Sequence, residues 1–246
     1  MSRAGFASRY PWLAAHAERQ GIGALVDHTL LKPEATKADV RRVCDEARAA
    51  GFGAVCVNAE WVGMAVRALE GSGVRVAATV GFPLGAAGLA AKAAEARLAI
   101  LDGAGELDVM IALGLVRGTD WRGVEDEIAA VVAAAPGRLV KVILETAALS
   151  AAEIERAART AVAAGAGMVK TSTGFHPAGG ATVERVRLLR ATVGDGIGVK
   201  ASGGIRTAEA ALAMLAAGAD RIGASSALAW KEVVGRGAPP LRDLLP

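Results

Sequence analysis

The sequence predicts one α/β domain over residues 1–246, a TIM (β/α)8 barrel in which eight parallel strands alternate with helices. The first observation is a recurring pattern in which an Ala-rich helical segment ends in Gly and a short apolar run soon follows. Such runs are typical of strands buried on both faces, and Gly after a helix favours a left-handed C-cap. The second observation is the length of 246 residues, which suits one barrel without a linker.

The apolar runs locate the strands, and a helix is expected after each of them. The predicted strands lie near residues 24–29, 53–57, 74–80, 105–111, 138–144, 167–171, 197–201 and 219–223. An extra N-terminal helix is expected near 9–20. Capping boxes mark two helix starts, at Thr36–Asp39 and Ser150–Glu153. Single N-caps are expected at Asn58, Thr182 and Thr207.

A doubly wound parallel sheet is the rival architecture. That fold places a Gly-rich turn after its first strand, whereas here the first strand continues into DHTLLKP, which contains no glycine. The barrel is therefore the preferred prediction.

The composition excludes several classes of protein. Hydrophobic residues make up 53% and charged residues 22%, which is enough for a folded core and argues against disorder. The net charge of +3 is spread along the chain, so nucleic acid is not an expected partner. No apolar run approaches the roughly 18 residues of a membrane span, and no signal peptide is recognisable, so a cytoplasmic protein is expected.

The cysteines and histidines predict no metal site and no cofactor. Cys44 and Cys56 are too few for a disulfide framework or a zinc site, and the three histidines lack ligand spacing. Cys44 shares a helical stripe with Val40, Val43 and Ala47, which predicts a core position.

The active site of such a barrel lies where the strands end, because the loops after the strands meet at one face. Several polar residues are expected at that face, with the less polar Cys56 among them. They are Asp27, Thr29, Asn58, Asp108, Glu145, Lys170, Lys200, Ser225 and Ser226.

Lysines are the most informative of these residues. Only seven of the 28 basic residues are lysine, yet Lys141, Lys170 and Lys200 all lie inside apolar strands. A buried lysine serves either a structural ion pair or chemistry that needs an amine, which a permanently charged guanidinium cannot supply. Glu145 is a candidate ion-pair partner for Lys141, since an even spacing places both on one face of a strand.

Lys170 and Lys200 lie at matching depth on the sixth and seventh strands, which are expected to be neighbours. Burial and a nearby cation both lower the pKa of a lysine, and only the neutral amine is a nucleophile. Asp108 on the fourth strand is placed to hold one lysine charged and to relay protons. This combination predicts imine and enamine chemistry on a carbonyl substrate.

Glycine-rich loops follow the last three strands and predict a phosphate site. Each loop alone is more typical of a tight turn than of a ligand site, but backbone N–H groups and helix N-termini from three adjacent loops favour an anion. Arg206 can add a direct charge. The loops are TSTG at 171–174, SGGIRT at 202–207 and GASS at 223–226.

These motifs resemble those of deoxyribose-phosphate aldolases, a family of class I aldolases. The match covers nearly the whole chain, and its most specific parts are VKTSTGF and KASGGIRT, whose lysines are 30 residues apart. The resemblance implies a TIM barrel that reversibly cleaves 2-deoxy-D-ribose 5-phosphate into acetaldehyde and D-glyceraldehyde 3-phosphate. The other matching segments are DHTLLKP, GFGAVCVN, GFPLG, GELDV, VKVILET and RIGASS.

The resemblance also implies roles for individual residues. Lys170 would form the Schiff base, Lys200 would activate it, and Asp108 would relay protons. Asp27, Thr29 and Cys56 would lie beside them. The remaining substrate-binding residues, most of them around the phosphate, would be Thr171, Gly174, Gly203, Gly204, Arg206, Gly223, Ser225 and Ser226.

Two positions depart from the family pattern. Ala112 stands where many members have Asn, so a polar contact at the pocket wall is expected to be missing. Phe175 stands where some members have a lysine that reaches the phosphate. The phosphate site is therefore expected to depend on backbone amides and Arg206.

Two other functions remain open from the residues alone. One is a sugar-phosphate isomerase or epimerase, which would not need two lysines. The other is a non-catalytic barrel that serves as a binding module, against which the complete set of Lys170, Lys200 and Asp108 argues. The expected partners are phosphorylated sugars and aldehydes, together with copies of the chain in a homodimer or homotetramer, and not membranes.

Overall fold

A closed barrel of eight parallel strands forms the centre of the protein, and the strands pair in chain order, with β8 closing onto β1. The computed structural model describes residues 21–230, 232–235, 237–239 and 243, so the N-terminal helix predicted near 9–20 lies outside the described residues. Each predicted strand overlaps an observed one. The strands are β1 Val26–Leu30, β2 Ala54–Val57, β3 Arg75–Val80, β4 Glu106–Met110, β5 Leu139–Ile143, β6 Met168–Lys170, β7 Gly198–Ser202 and β8 Arg221–Ala224.

Helices surround the barrel and connect its strands. They are α1 Lys37–Ala50, α2 Val62–Leu69, α3 Leu89–Leu101, α4 Leu113–Arg117, α5 Trp121–Ala134, α6 Ala151–Ala163, α7 Val183–Val193 and α8 Ala208–Ala216. Both α4 and α5 follow β4. After β8, the described residues contain a turn of 3-10 helix, and the segment in which a further helix is predicted lies partly outside the described residues. The 3-10 turns are Ile22–Leu25, Ala59–Trp61, Thr146–Ala148 and Ala227–Ala229.

The predicted N-caps are confirmed with one exception. Both capping boxes form, and Thr182 and Thr207 also accept a backbone hydrogen bond in the first turn of their helices. Asn58 takes the N-cap position of the 3-10 turn Ala59–Trp61, but its side chain makes no capping hydrogen bond. Its amide nitrogen donates to the carbonyl of Leu31 at 3.2 Å, and its oxygen accepts from Thr79 at 3.2 Å. Asn58 therefore connects the ends of β1, β2 and β3.

The apolar core lies between the outer faces of the strands and the helices. The predicted stripe of α1 is confirmed, since Val40, Val43, Cys44 and Ala47 are all buried. Burial raises the pKa of the Cys44 thiol to about 11, as expected for a residue that serves packing. In the described part of the chain, no helix is long and apolar enough to cross a membrane.

A buried ion pair holds the C-terminal end of β4. Lys92 on α3 lies 2.8 Å from Glu127 on α5, and both side chains are buried. The ammonium of Lys92 also donates to the carbonyl of Met110 at 2.8 Å, while Glu127 accepts from the amide of Ala112 at 3.1 Å. Two helices thus fix the exit of the strand that carries Asp108.

Candidate active site

Three lysines converge on one carboxylate inside the barrel. The Nζ atoms of Lys170 and Lys200 each lie 2.7 Å from Oδ2 of Asp108, and Nζ of Lys141 lies 2.7 Å from Oδ1. Asp108 is fully buried, and the lysines are 3% exposed or less. The predicted catalytic residues Lys170, Lys200 and Asp108 are therefore in direct contact.

Strand register produces this convergence. Paired residues of neighbouring parallel strands point to the same face, and Lys170 pairs with Lys200 while Asp108 pairs with Lys141. On β6, Met168 pairs with Lys141, so Lys170 lies one inward-facing step closer to the strand ends than Lys141 does. Lys200 lies at the same depth as Lys170, but of the three lysines it is Lys170 that lines the cavity at the open face of the barrel.

Lys141 lies deeper and has a structural environment. Besides Asp108, it contacts Glu106 at 2.7 Å and Asp27 at 3.5 Å. The expected ion pair between Lys141 and Glu145 is wrong, because β5 ends at Ile143 and the alternation of a strand no longer applies at residue 145.

Glu145 instead anchors the loop after β6. It has a positive φ of 54°, and its buried carboxylate accepts from the backbone amide of Thr173 at 3.2 Å and from the Thr173 hydroxyl. The same hydroxyl accepts from the amide of Phe175 at 3.0 Å. Glu145 therefore shapes the TSTG segment that borders the site.

Sequence reasoning missed two charged residues below the lysines, Arg221 and Glu106. Arg221 on β8 forms ion pairs with Asp27 and, at 3.3 Å, with Glu106, and all three side chains are fully buried. Both residues lie in apolar strands, so the signal that singled out the lysines applies to them as well.

The surrounding charges separate the two site lysines chemically. Burial lowers the pKa of Lys170, and the positive charge of Lys200 lowers it further against the opposing effect of Asp108. Burial also acts on Lys200, but Asp108 and Asp27 raise its pKa above the ordinary value. Although burial opposes ionisation of Asp108, the three lysines hold its pKa well below the usual range. Lys170 is thus the amine closest to its neutral, nucleophilic form.

The other predicted residues of the inner site take distinct places. Asp27 and Thr29, expected after the first strand, lie within β1, and Thr29 donates to the carbonyl of Asp27 at 2.8 Å. Cys56 is buried, with its sulfur 4.0 Å from Asp108, and burial raises the pKa of the thiol. Thr171 joins β6 to β7, since its hydroxyl donates to the carbonyl of Ser202 and accepts from the amide of Ser202, both at 3.0 Å.

A cavity of about 470 Å³ opens above Lys170. It unites most of the residues predicted to bind substrate, whereas Asp27, Cys56, Asp108, Thr171 and Lys200 lie beneath its lining. The predicted residues that line it are Thr29, Lys170, Gly174, Gly203, Gly204, Arg206, Gly223, Ser225 and Ser226.

Two glycines are required by close approaches in this region. A Cβ on Gly223 would lie 3.1 Å from Cε of Lys200 and 2.9 Å from Cβ of Ser202, so the absent side chain makes room for Lys200. Gly203 has a φ of 88° and packs against Gly180, where a Cβ would lie 3.0 Å from the Gly180 Cα. The loop after β7 therefore packs directly on the loop after β6.

The two positions that depart from the family pattern differ in location. Phe175 lines the cavity and packs edge-on against Phe82, with ring centroids 5.3 Å apart, and the Phe82 ring lies 5.9 Å from Nζ of Lys170. An aromatic wall therefore stands beside the amine. Ala112 lies before α4 and is not among the residues that line this cavity.

Comparison with known proteins agrees with the fold. The model of the DeoC/LacD family aldolases matches residues 23–242, and the chain belongs to this family of aldolases, which are lyases. Among its relatives is deoxyribose-phosphate aldolase 1 of Bacillus licheniformis, which is 52% identical over 83% of this chain and 92% of the relative.

Solved structures give the same assignment. The aldolase QR15 has a TM-score of 0.82 and 38% identity, with 86% of this chain and 94% of QR15 covered. A deoxyribose phosphate aldolase from Aeropyrum pernix, described as a unique tetramer, has a TM-score of 0.77 and 34% identity over 92% of this chain and 93% of that chain.

Proposed function

We propose that this protein is a deoxyribose-phosphate aldolase, which reversibly cleaves 2-deoxy-D-ribose 5-phosphate into acetaldehyde and D-glyceraldehyde 3-phosphate. The observation that carries the proposal is the contact of Lys170 and Lys200 with one oxygen of Asp108. The names of the similar proteins from Bacillus licheniformis and Aeropyrum pernix support the substrate.

The first step joins substrate and enzyme. The neutral amine of Lys170 attacks the aldehyde carbon C1 of the open-chain sugar, and the carbinolamine then loses water to give a protonated imine. Asp108 and Lys200 supply and accept the protons of these transfers. The two side chains are hydrogen-bonded to each other.

The second step breaks the carbon–carbon bond. The hydroxyl on C3 loses its proton, C3 becomes the aldehyde carbon of glyceraldehyde 3-phosphate, and the electron pair of the C2–C3 bond moves into an enamine whose nitrogen was the imine. Protonation of C2 and hydrolysis by one water then release acetaldehyde and the free lysine. The near-complete burial of Lys170 limits the access of other water to these intermediates.

We assign the substrate phosphate to the part of the cavity bordered by the loops after β7 and β8. Gly203, Gly204, Arg206 and Ser226 line the cavity there. Backbone N–H groups in glycine-rich turns and a nearby cation are well suited to a phosphate dianion.

Reductive trapping tests the nucleophile, the substrate class and the mechanism together. The protein is incubated with acetaldehyde and borohydride and then digested for mass spectrometry, which should find a two-carbon addition on Lys170. Lys170→Arg, which keeps the charge but has no neutral amine, should show neither trapping nor cleavage.

A label on Lys141 or Lys200 would overturn the assignment. Absence of trapping together with isomerase activity would favour the rival isomerase or epimerase, and an inert protein would favour the binding module. Cleavage in the presence of EDTA is expected, and its loss would revive a metal-dependent reaction.

We also propose cytoplasmic action and self-association. Both cysteines are free thiols in the structure, as in a reducing compartment. A homodimer or homotetramer is expected, and the similar tetrameric aldolase supports this. Light scattering measures the mass of the assembly and would show a monomer if the expectation fails.

A further inference from the structure

The charged lining of the active-site cavity is entirely basic. Lys32, Lys170 and Arg206 are its charged residues, and no aspartate or glutamate is among the described residues that line it. Lys170 lies at the base of the cavity and forms an ion pair with Asp108. Two cations therefore remain at the rim, and only Arg206 was anticipated from the sequence.

Lys32 and Arg206 flank the same turn from opposite sides. β8 pairs with β7 on one side and with β1 on the other. Arg206 lies in the loop after β7, Lys32 lies two residues after β1 ends, and Ser225 and Ser226 follow β8 between them. All four residues line the cavity. An anion at the Ser225–Ser226 turn would thus have a cation on each side.

Neither rim cation has another charged partner. Within the part of the chain that the structure describes, no carboxylate lies within ion-pair distance of the Lys32 or Arg206 side chain. The TSTG loop adds no cation, because Phe175 follows Gly174 there. Lys32 is exposed and carries a compact charge with three donors on a flexible stem, which suits a phosphate group that enters from solvent.

We propose that Lys32 is a specificity-determining residue that binds the substrate phosphate opposite Arg206. The inference depends on the proposed function for the identity of the substrate, but the binding of a phosphate group can be tested separately. Lys32 also lines a neighbouring cavity of about 330 Å³, together with Glu34 and Asp39. If Lys32 serves that cavity instead, it contributes nothing to phosphate binding.

The test compares Lys32→Gln with wild type on two substrates. With 2-deoxyribose 5-phosphate, KM should rise about tenfold while kcat stays within about twofold, as for loss of one charged hydrogen bond. With unphosphorylated 2-deoxyribose, both constants should remain unchanged. Lys32→Arg should restore most of the affinity, because the charge and the donors return.

Lys37→Gln is the matched control. Lys37 is also exposed and begins α1, but it lines neither cavity. It should leave KM for both substrates unchanged. The difference in KM for 2-deoxyribose 5-phosphate between wild type and Lys32→Gln should become smaller in 0.5 M salt. At this salt concentration the Debye length is about 4–5 Å, so an exposed ionic contact is weakened.

Direct binding of inorganic phosphate, measured by isothermal titration calorimetry, separates the two proposals. A protein that fails to cleave the sugar phosphate refutes the proposed function, while weaker phosphate binding by Lys32→Gln than by Lys37→Gln still supports the role of Lys32. The role of Lys32 would be refuted if these two variants bound phosphate equally, or if Lys32→Gln raised KM equally for both substrates.

Discussion

Lys170 and Lys200 share a single oxygen atom, because the Nζ atoms of both side chains lie 2.7 Å from Oδ2 of Asp108. The register of β6 and β7 places the two lysines side by side. A proton can therefore pass between the two nitrogens through one carboxylate oxygen. This arrangement has separate consequences for each of the three residues.

Lys200→Met should shift the pH dependence of kcat. The variant removes a positive charge that lowers the pKa of Lys170, so this pKa should rise and the ascending limb of activity should move to higher pH. Each unit of that rise lowers the neutral fraction about tenfold below the pKa. Activity should thus fall at neutral pH and recover in part at alkaline pH. An unchanged pH–rate profile would reduce Lys200 to a structural lysine.

Asp108→Asn should behave differently from Lys200→Met. The variant keeps the shape of the side chain but removes the proton acceptor that contacts both lysines. We expect a loss of kcat of about 10²–10⁴-fold that alkaline pH does not recover. The same pH–rate measurement at saturating substrate checks this, and recovery at high pH would argue against a proton relay.

Arg206→Ala should discriminate between substrates. Its guanidinium lines the cavity beside Gly203 and Gly204, so kcat/KM for 2-deoxyribose 5-phosphate should fall about tenfold or more. The value for unphosphorylated 2-deoxyribose should change little. Equal losses on both substrates would contradict a phosphate contact.

Glu145→Gln should loosen the TSTG loop. The amide keeps one acceptor oxygen, but it replaces the second oxygen that faces the Thr173 N–H with an NH₂ donor and removes the charge that strengthens both hydrogen bonds. Substrate binding should therefore weaken by about 1–2 kcal/mol, mainly in KM. Thr173→Val removes the hydroxyl donor and serves as the second arm of a double-mutant cycle. The loss of affinity in the double variant should be smaller than the sum of the losses in the two single variants. Full additivity would show that the contact between Glu145 and Thr173 does not hold the loop.

Lys92→Met should lower the free energy of unfolding by about 3–5 kcal/mol, since it leaves the buried carboxylate of Glu127 unpaired. Urea denaturation followed by circular dichroism measures the loss. The double variant Lys92→Met/Glu127→Leu should recover much of it. The exposed Lys37→Met is the control and should change stability by less than about 0.5 kcal/mol. A similar small effect at Lys92 would contradict the clamp on β4.

The sequence was sufficient for the barrel and for the cluster of Lys170, Lys200 and Asp108. Short apolar runs bounded by glycine locate strands well, because a parallel strand covered on both faces has few alternatives. Lys170 and Lys200 were recognised because a charged residue in such a run needs a specific reason. Their equal depth could be inferred from the sequence pattern, and the register confirms it.

Contacts that depend on how strands end could not be predicted. The pairing of Glu145 with Lys141 assumed a strand that continues, whereas the chain turns at residue 145 with φ at 54°. Asn58 takes an N-cap position, but its side chain bonds to Leu31 after β1 and to Thr79 on β3 and not to the turn that follows it. The partners of Arg221 lie on β1 and β4, and such contacts across the barrel depend on its closure rather than on local sequence.

The interior of the barrel has a charge balance that favours a neutral nucleophile. The buried carboxylates of Asp27, Glu106 and Asp108 face three buried cations besides Lys170, namely Lys141, Lys200 and Arg221. The charges of these six groups cancel when Lys170 is uncharged, and its protonation adds a positive charge without a counterpart in a largely buried region. The protonated imine creates the same excess. Formation of the neutral enamine removes it, so the electrostatics of the whole barrel floor favour carbon–carbon cleavage.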